Sequence, residues 1–125
     1  MTLRTPTYPE SGSFQSKLTF DREVTILTGE TISSEADLGG ANIICISTPS
    51  GLIGSYLYFY IWDGTEFKQA YSPSLTSDIQ MKIKVLPSVA YPMVPIDGAA
   101  FQKIKLVSDT TQTSDVTIKL ICRNL

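Results

Sequence analysis

The sequence predicts an all-β protein, an antiparallel β-sandwich of eight or nine strands with jelly-roll-like or immunoglobulin-like layering. Three observations carry this. Asp78 to Val85 alternates strictly, with Ile79, Met81, Ile83 and Val85 on one side and Asp78, Gln80, Lys82 and Lys84 on the other, the period of a half-buried strand. Ser55 to Trp62 is a run of aromatic and β-branched residues closed by Asp63-Gly64, a strand entering a hairpin. Turn-forming residues recur between such runs, and no segment holds a convincing helical period.

Residues 1 to 13, with Pro6, Pro9 and Tyr8, show no periodicity and read as an extended N-terminal arm ahead of a single domain over 14–125. Such an arm is either a frayed terminus or a segment that orders on a neighbouring subunit. Phe14, Leu18, Phe20 and Val24 to Leu27 form the first strand, which Gly29 breaks. Ile32 to Leu38 is a bend, too short for a helix before Gly39-Gly40. Asn42 to Ser47 is a continuous apolar run of strand length and is expected to be central. A loop over Thr48 to Gly51, closed by Gly54, leads to the aromatic strand, and Thr65 to Tyr71 returns as the hairpin partner.

Past the turn at Ser72-Pro73-Ser74 comes the alternating strand, whose Lys pair discourages edge-to-edge pairing. Pro87, Pro92 and Pro95 surround Ser88 to Tyr91 and Met93-Val94, so this segment belongs at an edge or in a loop, because proline has no N–H for a central ladder. Asp97-Gly98-Ala99-Ala100 reads as a turn or a single helical turn. Phe101 to Val107 is a strand with Ile104 and Leu106 inward, and Ser108 to Ser114 is a polar loop. Asp115 to Arg123 ends the fold with Val116, Ile118, Leu120 and Cys122 inward.

The aromatic strand has two apolar faces. Leu57, Phe59 and Ile61 share one, and Tyr56, Tyr58, Tyr60 and Trp62 share the other. Such a strand is covered on both sides, either by two layers of one sandwich or by its own core and another chain. The phenol hydroxyls need partners or water, which suits an interface.

At 125 residues one domain is expected, and 42% apolar against 18% charged residues is the balance of a folded globule. The net charge of −2 and the spread of the 10 Lys and Arg along the chain argue against nucleic acid as a partner. No apolar run is long enough to span a membrane and no signal segment opens the sequence, so folding in the cytoplasm of the producing cell is expected. Cys45 and Cys122 both fall at inward-looking strand positions and are read as two reduced thiols rather than a disulfide.

Catalysis has little to draw on. Without His, the usual general base and the Ser-His and Cys-His pairs are missing, along with most zinc and iron sites. Asp21 with Glu23, and Asp63 with Glu66, sit at turns where solvated acids are expected. No glycine-rich phosphate cradle is present, and Asp109 and Asp115 lack a calcium-loop pattern, so neither cofactor nor metal is expected. Exposed Tyr and Trp also stack on sugars, so Tyr56 to Trp62 would suit a carbohydrate-binding module. Asp63 and Glu66 are the only polar company they have nearby, and a protein-protein face is the stronger reading.

In order, the pieces resemble a known family. Asp37-Leu38-Gly39-Gly40 enters the apolar strand Ile43 to Ile46 and the Pro loop Thr48-Pro49. An Asp-Gly-x-x-Phe hairpin follows at Asp63 to Phe67, then a Pro-containing edge at Tyr91 to Pro95, and the strand Phe101 to Ser108 with Gln112 and Asp115 behind. This order is similar to that of small virion structural proteins of tailed double-stranded DNA bacteriophages, over residues 28 to 123. The resemblance implies a non-enzymatic virion component assembled in the host cytoplasm. A capsid decoration or cement protein is the first expectation, and a neck, head-fibre or tail-attached component the second. Its implied partners are the major capsid protein or other virion proteins, together with further copies of itself, a trimer being favoured. The contact residues expected are Tyr56, Tyr58, Tyr60, Trp62, Tyr91, Pro92, Met93 and Tyr8.

Overall fold

Val116, Ile118, Leu120 and Cys122 are buried and the residues between them are exposed or half-buried, so the last strand presents one apolar face. The same period recurs through the chain and determines which way each strand faces. The structure, a computed structural model, describes residues 19–72, 79–93 and 102–124. The predicted arm with Tyr8, the Pro73-Ser74 turn, Pro95, the turn at Asp97 to Ala100 and Phe101 lie outside the described residues.

Eleven strands are formed among the described residues: β1 (Thr19–Ile26), β2 (Ala36–Asp37), β3 (Asn42–Ser47), β4 (Tyr56–Trp62), β5 (Phe67–Gln69), β6 (Tyr71–Ser72), β7 (Ile79–Gln80), β8 (Lys82–Lys84), β9 (Ala90–Pro92), β10 (Lys103–Ser108) and β11 (Val116–Arg123). All pairings are antiparallel. One sheet has the order β1-β11-β3-β9. The other has the order β2-β10-β4-β5, with β8 also on β4. β5 lies beside Tyr60 to Trp62 and β8 beside Tyr56 to Tyr58, while β10 takes the opposite edge along Leu57 to Ile61. The two sheets therefore hold nine strands, or eight if β5 and β8 are taken as one interrupted edge.

The connectivity is that of a hairpin rolled onto itself. β1 pairs with β11, β2 with β10, β3 with β9, and β4 with the β5/β8 edge, and successive pairs fall in alternate sheets. This is the jelly roll, with antiparallel sheets packed face to face. A single apolar cluster lies between them, built from Val24, Ile26, Ile43, Ile46, Ile118 and Leu120 on one side and Leu57, Phe59, Ile104 and Leu106 on the other. On one flank the sheets are stitched by the β1–β2 corner. Ser34 N–H donates to Thr25 O (2.9 Å), Ser33 N–H to Leu106 O (2.9 Å), and Arg22 Nε to Asp37 O (3.0 Å).

Two features depart from regular pairing. Between Ile121↔Cys45 and Cys122↔Ile43 the register slips, leaving Ile44 as the extra residue of a bulge. The bulge corrects the expectation for Cys45. Strict alternation puts its side chain inward, but past the bulge it shares the outer face with Ile121 and is half-buried, whereas Cys122 is fully buried. Both thiols are free, and burial pushes the Cys122 thiol up to about 11.

The second departure lies midway along the β4 edge. Ala70 N–H donates to Phe59 O (2.8 Å), Met81 N–H to Ala70 O (2.9 Å) and Phe59 N–H to Met81 O (3.0 Å). This closed ring of backbone bonds is where the β6–β7 ribbon leaves the sheet and the chain rejoins β4 as β8.

Candidate functional site

The residues singled out in the sequence fall in two places. Tyr56, Tyr58, Tyr60 and Trp62 form a half-buried row down the outer face of β4, while Leu57 and Phe59 enter the core. No second layer covers this row among the described residues. Tyr91, Pro92 and Met93 belong to the other sheet, on and just after edge strand β9. Tyr91 pairs with Ile46 and packs against the core, and its hydroxyl accepts the Leu86 N–H at 2.6 Å. Met93 also packs on the core, and Pro92 is exposed. Tyr8 lies outside the described residues. The tyrosine row and the proline edge are thus separate surfaces.

Lysines far apart in the sequence are gathered around the row by the register. Tyr56 pairs with Lys84 and Tyr58 with Lys82 on β8, while Tyr60 pairs with Lys105 on β10. On the sides without lysine, Tyr58 faces Val107, Tyr60 faces Gln69, and Trp62 faces Phe67. The lysine backbones therefore start from diagonal quarters of the face, the β8 side of the Tyr56 half and the β10 side of the Trp62 half, and their side chains reach in over the aromatic rings.

Nor do their ammonium groups all stand in open water, as alternation alone suggests. Lys82 Nζ lies 4.5 Å from the Tyr56 ring centroid and 5.8 Å from that of Tyr58. Lys103 Nζ is 5.1 Å from Trp62, and Lys105 Nζ is 4.7 Å from Phe67. Each contact is an attraction of cation to ring quadrupole, about 0.5–1 kcal/mol at exposed sites. Trp62 and Phe67 meet edge to face at 5.2 Å. Of these lysines Lys103 also reaches a carboxylate, Glu35 at 3.6 Å.

The ends of the face are held by ionised side chains. At the hairpin, Asp63 Oδ1 accepts the Thr65 and Glu66 N–H groups (both 2.8 Å), and Oδ2 pairs with Lys68 at 2.9 Å. These contacts, the Glu66 N–H foremost, hold the Asp63 carboxyl well below the usual range, and Asp63 in turn raises Lys68. At the other end Asp109 Oδ1 accepts from Ser55 N–H (3.0 Å) and Tyr56 N–H (3.3 Å). Burial works against its charge, but these donors and the Thr110 hydroxyl keep its carboxyl below the ordinary value. Gly54 sits at φ +107°, and a Cβ there would come within 2.6 Å of Asp109 Oδ1, so the turn that delivers β4 requires glycine.

Asp115 Oδ1 binds the N–H and hydroxyl of Thr28, both at 2.8 Å. Asp109 and Asp115 are thus loop ties, and no cluster of three metal-ligating acids, His or Cys occurs among the described residues. Gln112, 1% exposed, was visible in the sequence only as part of the late motif. Its side chain accepts from Ile53 N–H (3.1 Å) and faces Ile53 O, Thr110 O and Ser108 Oγ with its amide nitrogen (2.9–3.1 Å). A shallow groove of about 350 Å³ borders Lys105, lined by Thr25, Leu27, Ile32 and Ser34, with Glu30 as its one acid.

These features define a non-local β-sandwich of jelly-roll class with an aromatic, lysine-framed outer sheet face. Among solved structures the chain is similar to the crystal structure of the SPBc2 prophage-derived protein YomS. The TM-score is 0.52 at 17% identity, over 86% of this chain and 96% of that one, which is a likeness of fold. No protein-family model matches the chain, and no curated protein matches it.

Proposed function

We propose that the chain is a non-enzymatic structural protein of a tailed-phage particle, a capsid decoration protein that attaches by protein-protein contact. The observation that carries this reading is the tyrosine row itself. Four large, half-buried aromatic side chains lie side by side on a sheet face over which no second layer of described residues packs. Aromatic residues of this kind supply the desolvated anchors of protein interfaces. The prophage origin of a structure with the same fold supports the phage setting, and the order of motifs along the chain supports the virion one. Sugar stacking fits less well, because the Lys82 and Lys103 ammonium groups lie against the rings of Tyr56 and Trp62 that a pyranose would need.

The test is cryo-electron microscopy and mass spectrometry of gradient-purified particles from the phage or lysogen encoding the chain. The expected result is stoichiometric density on the outside of the head shell. Absence of the chain from purified particles would overturn the proposal, and density at the neck or tail would move it there.

A further inference from the structure

We infer that one loop end of the roll is a second binding surface, which takes an extended segment of another protein carrying aliphatic side chains alternating with Lys or Arg. The inference depends neither on the chain being a virion protein nor on the tyrosine row.

The end concerned is the one where β1, β3 and β10 finish and β4, β9 and β11 begin, as the pairs Ile26↔Val116, Ser47↔Ala90 and Ser108↔Leu57 fix. Four connections cross between the sheets there, side by side in the order Leu27 to Ile32, Asp109 to Asp115, Thr48 to Ser55 and Val85 to Val89. Hydrogen bonds join each to the next. Gly29 N–H donates to Gln112 O (2.8 Å), Ile53 N–H to Gln112 Oε1 (3.1 Å), and the Thr48 hydroxyl to Leu86 O (2.6 Å). Among the described residues, four of the five exposed large apolar side chains stand on these connections: Leu27 (50%), Ile32 (49%), Ile53 (36%) and Leu86 (61%). Single exposed apolar residues are ordinary, but their concentration at one end of a sandwich marks a contact surface. Because the loops are tied to one another, little conformational freedom is left to lose on binding.

Charge and size define the occupant. The four connections contain the carboxylates of Glu30, Asp109 and Asp115 and no Lys or Arg. Asp109 and Asp115 are held by N–H and hydroxyl donors, which leave their charge unbalanced. Glu30 lies beside Leu27 and Ile32 in the groove and makes no ion pair among the described residues. Lys84 and Lys105 border this end, but they belong to the outer face of the β4 sheet, and the Lys105 ammonium is drawn to Phe67. A basic partner is therefore favoured, and an anionic one such as nucleic acid or acidic lipid is repelled. Connections at the strand spacing of about 4.8 Å make a ridge roughly 14 Å long, across sheets about 10 Å apart. That footprint falls far short of the ~800 Å² per partner of a stable protein pair, which rules against a second copy held here alone. It matches an extended peptide of about five residues at ~3.3 Å each.

Amide NMR of the isotope-labelled full chain, titrated with three pentapeptides, makes the test. Lys-Leu-Lys-Leu-Lys should bind with a Kd of roughly 1 mM and shift amides of the four connections. Glu-Leu-Glu-Leu-Glu and Lys-Ser-Lys-Ser-Lys should bind at least about fivefold more weakly. Leu27→Ser or Ile53→Ser should raise the Kd of the first peptide about fivefold, and Glu30→Gln about two- to threefold. Glu66→Gln, the same charge change at the opposite end of the roll, should leave it unaltered. The amide spectra of the variants show that the fold is kept. Equal binding of the acidic or the serine peptide, shifts centred elsewhere, indifference to the loop substitutions, or no binding would overturn the inference. Pelleting with neutral phosphatidylcholine vesicles would overturn it in favour of a lipid surface. None of these results bears on whether the chain is found on particles, so the proposed function stands or falls separately.

Discussion

Gln112 shows how much one polar side chain can organise at the residue scale. Its amide ties the loop before β4 to the loop after β10, and its backbone bonds Gly29 and Glu30 after β1, so three connections meet on one residue. Removing a buried partner leaves the others desolvated and unpaired, at about 1–3 kcal/mol for each such loss. Gln112→Ala should therefore cost roughly 2–3 kcal/mol in urea unfolding with an unchanged m-value. The loop carboxylates make a second prediction. Asp63, Asp109 and Asp115 all ionise below the usual range when folded, so below about pH 5 the unfolded chain binds more protons than the native one. Their stabilisation is present above that pH and is lost as the pH falls towards their folded values. The Tm should drop between pH 5 and pH 2. Asp115→Asn should make that drop shallower, and an unchanged slope would mean that the Thr28 tie contributes nothing.

Individual strands were largely legible because the period of two survives wherever a strand pairs regularly. β11 and β10 face inward at the residues alternation selects, and β4 divides into its aliphatic and tyrosine sides as read. Cys45 was misplaced because a bulge has no sequence signature in an unbroken apolar run such as Asn42 to Ser47. Thiol chemistry checks this directly. A maleimide should label the half-buried Cys45 in the native protein and leave Cys122 untouched until denaturant is added. Labelling of both at the same rate would place Cys45 back in the core.

Across the whole molecule, what the sequence withheld was which strands are neighbours. Thr19 pairs with Arg123, and Lys82 and Lys105 flank the same strand, relations for which no local pattern exists. The class of sandwich could be read from patterning and turns, but the lysine-framed face could not, because it arises only when β8 and β10 close on β4. Long-range pairing of this kind also places the chain among slowly folding topologies. The ring of backbone bonds joining Phe59, Ala70 and Met81 has a practical corollary. It clamps the base of the β6–β7 ribbon, and Tyr71 to Ser72 pairs with Ile79 to Gln80 beyond it. A peptide spliced between Ser72 and Ile79 would thus start and finish at adjacent points, for little more than loop-closure entropy. Grafted epitopes should leave the melting temperature within a few degrees of the parent, and the ribbon then becomes a handle for mounting cargo on this scaffold.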